Sequence, residues 1–184
     1  YKKIDSFSKK DFAIVSRISK SKNIEESIEG FLNSSASESG SILIIGGPLT
    51  NEDEDYYEYL LNIYKEHKNV SFIGPVPHSE LVNYLKNVSF HINNTDKGFY
   101  DKSVLETSVN GIINFYKNID YDKNIPSKYQ ENLKFDGSPS DLSNKISSIF
   151  SLDQNEFLKI IEHSQEEIKN ESLDTLLKRI TRVI

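Results

Sequence analysis

Two basic side chains, Arg17 and Lys22, lie five positions apart where a predicted strand ends and a predicted helix begins. A cation beside a helix N-terminus can help to neutralise an anion, because the helix dipole and the unpaired N–H groups also favour negative charge there. A diphosphate is the kind of group that two such cations would bind. On spacing alone, two solvated surface charges are the simpler interpretation.

A second candidate pair is Ser103 and Glu106, at the start of a short helix predicted at residues 102–110. Ser and Glu three positions apart have the spacing of a capping box, in which each side chain binds a backbone N–H at the helix start. A carboxylate could instead accept two hydrogen bonds from adjacent hydroxyl groups, as on a ribose. The residues leave both interpretations open, and the two roles are partly compatible.

Strands and helices that alternate along the chain would position these side chains. Apolar runs predict strands buried on both faces of a parallel sheet, at residues 12–18, 42–47, 70–76, 88–94 and 112–116. Helical patterns lie between them, at residues 24–32, 53–67, 80–87 and 102–110. This alternation predicts βαβ crossovers and therefore an α/β protein with a doubly wound parallel sheet. The carboxyl ends of its strands are where such folds hold anions and nucleotides.

The regular alternation of strands and helices ends after the last of these strands. Residues 120–131 are polar and predicted to be irregular, and residues 133–135 could form a short sixth strand. Helices are predicted beyond them, at residues 138–151, 153–170 and 173–184. We expect residues 1–184 to form a single domain, in which residues 1–11 are a lead-in and residues 152–184 are extra C-terminal helices.

Composition narrows the possible classes of protein. The 184 residues are 36% hydrophobic, enough for one buried core, and their net charge of −6 argues against a nucleic-acid partner. The absence of Cys excludes disulfides, thiolate metal sites and a Cys nucleophile, and four scattered His residues leave little for a metal site. No apolar run approaches the ~18 residues of a membrane span. The chain opens at Tyr1 and contains no Met, so we expect it to be a piece of something longer.

Ordered segments of the chain resemble the donor-binding half of family 4 glycosyltransferases, which have the GT-B fold. The resemblance rests on residues 15–31, where Arg17 and Lys22 precede an amphipathic helix, on the glycines at 46–47, on the Gly-Pro-Val-Pro turn at 74–77, and on residues 102–111. It covers residues 12 to about 149. It implies a Rossmann-like sheet that binds a nucleotide sugar.

The resemblance also implies a role for individual residues. It places Arg17, Lys22, Ser103 and Val104 at the donor diphosphate, Glu106 at the ribose, and Val76 and Pro77 at the base. The family usually has a second Glu eight positions before this one, at the transferred sugar, but here Gly98 occupies that position. We therefore expect the donor sugar to lie near Gly98, Asp101 and Lys102. No catalytic residue is assigned.

The implied reaction is transfer of a sugar from a UDP-sugar or GDP-sugar, with retention and without a metal or other cofactor. The acceptor would be a saccharide or a lipid-linked molecule, held by an N-terminal domain upstream of Tyr1, so this chain alone would be inactive. Polysaccharide biosynthesis in the cytoplasm is expected, and the full-length protein could bind peripherally to the inner face of the membrane. A GT-B-type sugar-nucleotide epimerase and a non-catalytic nucleotide-sugar-binding module remain as alternatives.

Overall fold

The computed structural model describes residues 11–170, and these residues contain all five predicted strands. The strands are β1 (Phe12–Val15), β2 (Ile42–Ile45), β3 (Val70–Gly74), β4 (Phe90–Asn93) and β5 (Ile113–Tyr116). They form a parallel sheet in the order β3-β2-β1-β4-β5. The chain therefore crosses β1 to reach β4, which creates the topological switch point of a doubly wound sheet.

Apolar side chains cover both faces of the sheet, as the continuous apolar runs predict. On one face, the rings of Phe12 and Phe90 stack with centroids 4.9 Å apart, and Phe31 lies 5.2 Å from Phe12. On the other face, a smaller cluster contains Ala13 and Ile45. The sheet is thus held by apolar packing on both faces, and the strand residues His91 and Asn114 are buried polar exceptions.

Seven helices in the described part of the chain flank the sheet. They are α1 (Ile24–Leu32), α2 (Asn51–Tyr64), α3 (His78–Tyr84), α4 (Lys102–Val109), α5 (Ser127–Leu133), α6 (Pro139–Ile149) and α7 (Gln154–Asn170). The side chain of Thr50 caps α2 by accepting the Asp53 N–H. Ser138 caps α6 in the same way, and Pro139 occupies its first turn, where a missing N–H costs nothing.

The structure corrects the prediction for residues 119–135. Ile119–Asn124 form a 3₁₀ helix and α5 follows, where an irregular stretch was predicted. Residues 133–135 do not form a strand, because Leu133 ends α5 and Lys134 makes one isolated bridge to Tyr116. The sequence feature that indicates these helices is a hydrophobic residue at every fourth position. The four residues are Tyr121, Ile125, Tyr129 and Leu133, and all are buried.

The helices predicted at residues 138–151 and 153–170 are present as α6 and α7. The lead-in predicted at residues 1–11 lies, apart from Asp11, outside the described residues, and so does the helix predicted at 173–184. Among the residues that the structure describes, no helix combines the length and the apolar character needed to cross a membrane.

Candidate functional site

An open cleft of about 390 Å³ lies at the carboxyl edge of the sheet. Its walls are the segments that follow β1, β2 and β3, together with the start of α4. It brings together six of the residues predicted from the sequence, namely Arg17, Val76, Asp101, Lys102, Ser103 and Glu106. Residues that are far apart in the chain therefore share one site.

The glycines after β2 let the cleft form close to the backbone. Gly46 has a φ of 146°, and a Cβ at this position would lie 1.7 Å from the Ser16 carbonyl oxygen. The Ile18 N–H donates to the Gly47 carbonyl at 3.0 Å, so the two segments stay paired beyond their strands. Any side chain at position 46 would push these segments apart, and glycine is the residue that fits here.

The first turn of α4 opens on the cleft, because Lys102 and Ser103 both line it. The first N–H groups of a helix have no acceptor within the helix. The N-cap residue is Asp101, whose side chain makes no capping hydrogen bond, and Ser103 is the second residue of the helix. The capping-box interpretation of Ser103 and Glu106 is therefore wrong. The Ser103 Oγ is buried and has no hydrogen-bond partner among the described residues.

The two predicted cations have different surroundings. Arg17 is exposed and lines the cleft, and its side chain makes no ion pair with any residue in 11–170. The Lys22 Nζ lies 2.8 Å from Asp101 Oδ2, and these side chains are only 16% and 18% exposed. Lys22 is not part of the cleft lining, and a bound anion would have to share its ammonium group with Asp101.

The carboxylate of Glu106 has a partner that the sequence did not reveal. Its Oε1 lies 2.9 Å from Nε2 of His78, the first residue of α3. The side chain of Glu106 is 29% exposed and that of His78 is 80% exposed, so this pair lies at the mouth of the cleft. His78 directly follows the turn predicted to face a base, and this position is the one signal that could have identified it.

Three other predicted residues lie outside the cleft lining. Pro77 is the exposed N-cap of α3, whereas its neighbour Val76 lines the cleft. The side chain of Val104 is buried in the core, so only its backbone could face an anion. Gly98 is exposed with a φ of 89°, and its N–H donates to Asp120 Oδ2 at 2.9 Å.

A buried polar network connects α4 to strands β1, β4 and β5 of the sheet. His91 is fully buried, its Nδ1 lies 2.7 Å from Asn114 Oδ1, and its Nε2 accepts the Val15 N–H at 3.3 Å. Burial lowers the pKa of His91 to about 4, partly offset by the hydrogen bond to Asn114, so the ring is neutral and its Nδ1–H donates. Thr107 of α4 donates to the same Asn114 oxygen at 2.8 Å. The network joins the end of β1 to α4.

The chain matches no protein-family model and no curated protein sequence. It is similar in fold to the catalytic domain of cholesterol-α-glucosyltransferase from Helicobacter pylori, with a TM-score of 0.71, 20% identity, and coverage of 88% of this chain and 98% of that one. The C-terminal domain of LpcC, a group 1 glycosyl transferase from Francisella tularensis, gives a TM-score of 0.70 at 19% identity, covering 87% and 84%.

Anabaena HepE, in a structure that contains UDP-glucose, is similar with a TM-score of 0.72 at 13% identity. That similarity covers 96% of this chain and 48% of HepE, so the chain spans about half of the HepE length. At these identities the likenesses show the fold. Any argument about the ligand must therefore rest on the residues of the cleft.

Proposed function

We propose that this chain, which has the fold of the C-terminal half of a GT-B glycosyltransferase, binds a nucleoside diphosphate sugar as the donor for sugar transfer. One observation supports this most strongly. A single cleft gathers an exposed guanidinium, the open first turn of a helix and a carboxylate, contributed by Arg17, Ser103 and Glu106. This order of groups is complementary to a diphosphate followed by a ribose.

The diphosphate would be held by donors from two directions. The Arg17 guanidinium is not engaged by another described side chain, and it can form two parallel hydrogen bonds to phosphate oxygens. The first N–H groups of α4 offer further donors at the positive end of a helix dipole. The Ser103 Oγ would gain through such a phosphate the hydrogen bond that it lacks, and a buried polar atom without a partner is costly.

The nucleoside would extend from α4 towards β3. Glu106 can accept hydrogen bonds from both ribose hydroxyls, provided that the carboxylate shares Oε1 with His78 or releases it. Beyond it, the cleft wall becomes apolar at Leu49, Val76 and Leu81, where the flat face of a base could pack. This wall does not distinguish uracil from guanine. Because HepE is described with UDP-glucose, UDP is the first ligand to test.

We assign Lys22 a smaller role than Arg17, because diphosphate binding would have to compete with its ion pair to Asp101. Asp101 and Lys102 line the cleft and are the nearest side chains for the donor sugar, whereas Gly98 offers none. For a longer protein that also contains an acceptor-binding half, we propose transfer with retention of configuration. The acceptor would be a saccharide or a lipid-linked molecule. A place in the cytoplasm, at the inner face of the membrane, also stays a prediction.

Isothermal titration of the 184-residue chain with UDP and GDP tests the proposal. Replacing Arg17 by Ala removes a charge-assisted contact, so affinity should fall about 10- to 150-fold, or about 1.5–3 kcal/mol. The matched control is Lys159→Ala, which removes an exposed cation on α7 and should leave affinity unchanged. Equal affinities for wild type and Arg17→Ala, both folded, would overturn the diphosphate assignment.

A non-catalytic nucleotide-sugar-binding module is a second candidate, and Gly98 favours it. This residue stands where a sugar-binding carboxylate is expected, and a Cβ at this position would have no atom of the described residues within 4 Å, apart from its chain neighbours. The nearby carboxylate of Asp101 is already paired with Lys22. Free UDP released from a UDP-sugar by the longer protein with an acceptor would favour transfer, an isomerised donor would favour an epimerase, and neither product would favour the module.

A further inference from the structure

The buried hydroxyl of Tyr121 binds both backbone groups of one residue at the cleft. The Asp101 N–H donates to the Tyr121 Oη at 2.5 Å, and the Tyr121 hydroxyl donates to the Asp101 carbonyl at 3.1 Å. Tyr121 lies in the 3₁₀ helix that follows β5 and is fully buried. Its ring also contacts Tyr100, with centroids 5.1 Å apart.

The residues just before Tyr121 bind the rest of the same loop. The Asn118 Nδ2 donates to the Phe99 carbonyl at 3.3 Å, and the Gly98 N–H donates to Asp120 Oδ2 at 2.9 Å. One short segment after β5 therefore contacts residues 98–101 along their whole length. These residues form the loop that enters α4.

Asp101 is the residue through which this support reaches the cleft. It is the N-cap of α4, but its own side chain makes no capping hydrogen bond and instead holds Lys22 at 2.8 Å. The start of α4 thus lacks the usual internal restraint. Burial raises the pKa of Tyr121 to about 12, so the hydroxyl keeps its proton at neutral pH and can donate to the Asp101 carbonyl.

We propose that Tyr121 is a positioning residue for the anion-binding part of the cleft. By holding both backbone groups of Asp101, it fixes the first turn of α4, with the Ser103 hydroxyl, where a diphosphate would bind. Asn118 supports the same loop. The inference rests on the proposed nucleoside diphosphate site and adds a residue that does not line the cleft.

The test compares UDP with uridine, which lacks the diphosphate. Tyr121→Phe keeps the ring and removes only the hydroxyl, so UDP should bind about 3- to 10-fold more weakly. Uridine, which depends on Glu106 and the apolar wall, should change by less than about 2-fold. The matched control is Tyr64→Phe, which removes another buried hydroxyl, bonded to the Glu25 carbonyl at 3.4 Å, and should alter neither affinity.

The outcomes separate this inference from the proposed function. If wild type binds no nucleoside diphosphate, the proposed function is wrong and the inference falls with it. If wild type binds UDP but Tyr121→Phe binds it equally well, or loses UDP and uridine to the same extent, only the positioning role is overturned. Should Tyr121→Phe not fold, Asn118→Ala replaces it: a loss of about 2- to 5-fold for UDP alone supports the inference, and no loss overturns it.

Discussion

A serine lies at the start of both α4 and α6, but the two serines have opposite surroundings. Ser138 is the N-cap of α6, and its Oγ accepts the Asp141 N–H at 3.2 Å. Ser103 is the second residue of α4, and its buried Oγ has no partner among the described residues. The start of α6 thus has a side-chain cap, whereas the start of α4 has none.

The two helices are also held in place differently. Helix α6 packs closely on α1, since a Cβ at Gly30 would lie 2.6 Å from Leu142. Helix α4 is supported from below by the His91–Asn114 network and at its start by Tyr121. Support by neighbouring elements allows a helix N-terminus to stay fixed without using its own donors. This difference is what the proposed nucleotide site at α4 requires.

The largest predicted effect is a change in stability with pH, and it tests the buried His91–Asn114 network that supports α4. The pKa of His91 is about 4 in the folded protein, below the ordinary value of 6.5, because its burial penalises the charged ring. As pH falls from 6.5, the unfolded chain binds this proton before the folded one does, so stability decreases until pH 4 and then levels off. The loss attributable to His91 should be about 3 kcal/mol, measured by urea unfolding between pH 7 and pH 4.

The control is His91→Gln, since a Gln amide can both donate and accept but does not titrate. Carboxylates also titrate near pH 4, so the relevant quantity is the difference in pH dependence between wild type and variant. The variant should lose less stability than wild type over this range. Identical pH dependence would mean that His91 is not held neutral, and that the network does not support α4 as described.

A smaller effect is expected at Glu106, one turn into α4. Glu106→Gln keeps one acceptor for His78 but loses the charge and the second carboxylate oxygen, so UDP should bind about 1–3 kcal/mol more weakly. The melting temperature should barely move, because the side chain of Glu106 takes no part in a cap. Titration calorimetry and thermal unfolding of the same samples measure both quantities.

The 2′,3′-dideoxy form of UDP is the control ligand for this prediction. It lacks both hydroxyls, so it should bind weakly to wild type and change little in Glu106→Gln. The four affinities form a thermodynamic cycle in which the coupling term reports contact between Glu106 and the ribose. Equal losses for the two ligands would show that Glu106 does not touch the ribose.

The sequence predicted the sheet well, because continuous apolar runs identify strands that are buried on both faces. It placed the ends of β1, β2, β3 and β4 too late. Ser16 and Ile18 continue the pattern of β1, and their N–H groups still donate to the carbonyls of Ile45 and Gly47, yet both residues lie beyond the strand. Ser16 lines the cleft, whereas Ile18 is buried in the core. The stretch from Tyr121 to Leu133 was not predicted to be helical, because its helical spacing runs through two short helices separated by Pro126.

The sequence also predicted six of the residues that meet at the cleft, since the ends of parallel strands share one edge. It could not predict their partners. Lys22 pairs with Asp101, 79 positions away, and Glu106 pairs with His78, 28 positions away. Which cation meets which carboxylate depends on side-chain geometry after the loops are in place. Spacing along the chain carries no signal of that choice.

The smallest predicted effect separates the two serines directly. Ser138→Ala removes the N-cap of α6, so the free energy of unfolding should decrease by about 1 kcal/mol while UDP affinity stays the same. Ser103→Ala removes a buried hydroxyl without a partner, so stability should not decrease, but UDP affinity should fall by about 1 kcal/mol because one phosphate donor is lost. Urea unfolding and UDP titration of both variants should show a loss of stability alone for Ser138→Ala and a loss of UDP affinity alone for Ser103→Ala. If Ser103→Ala instead loses stability and keeps its affinity, then Ser103 is a structural residue and the first turn of α4 is no more available to a ligand than that of α6.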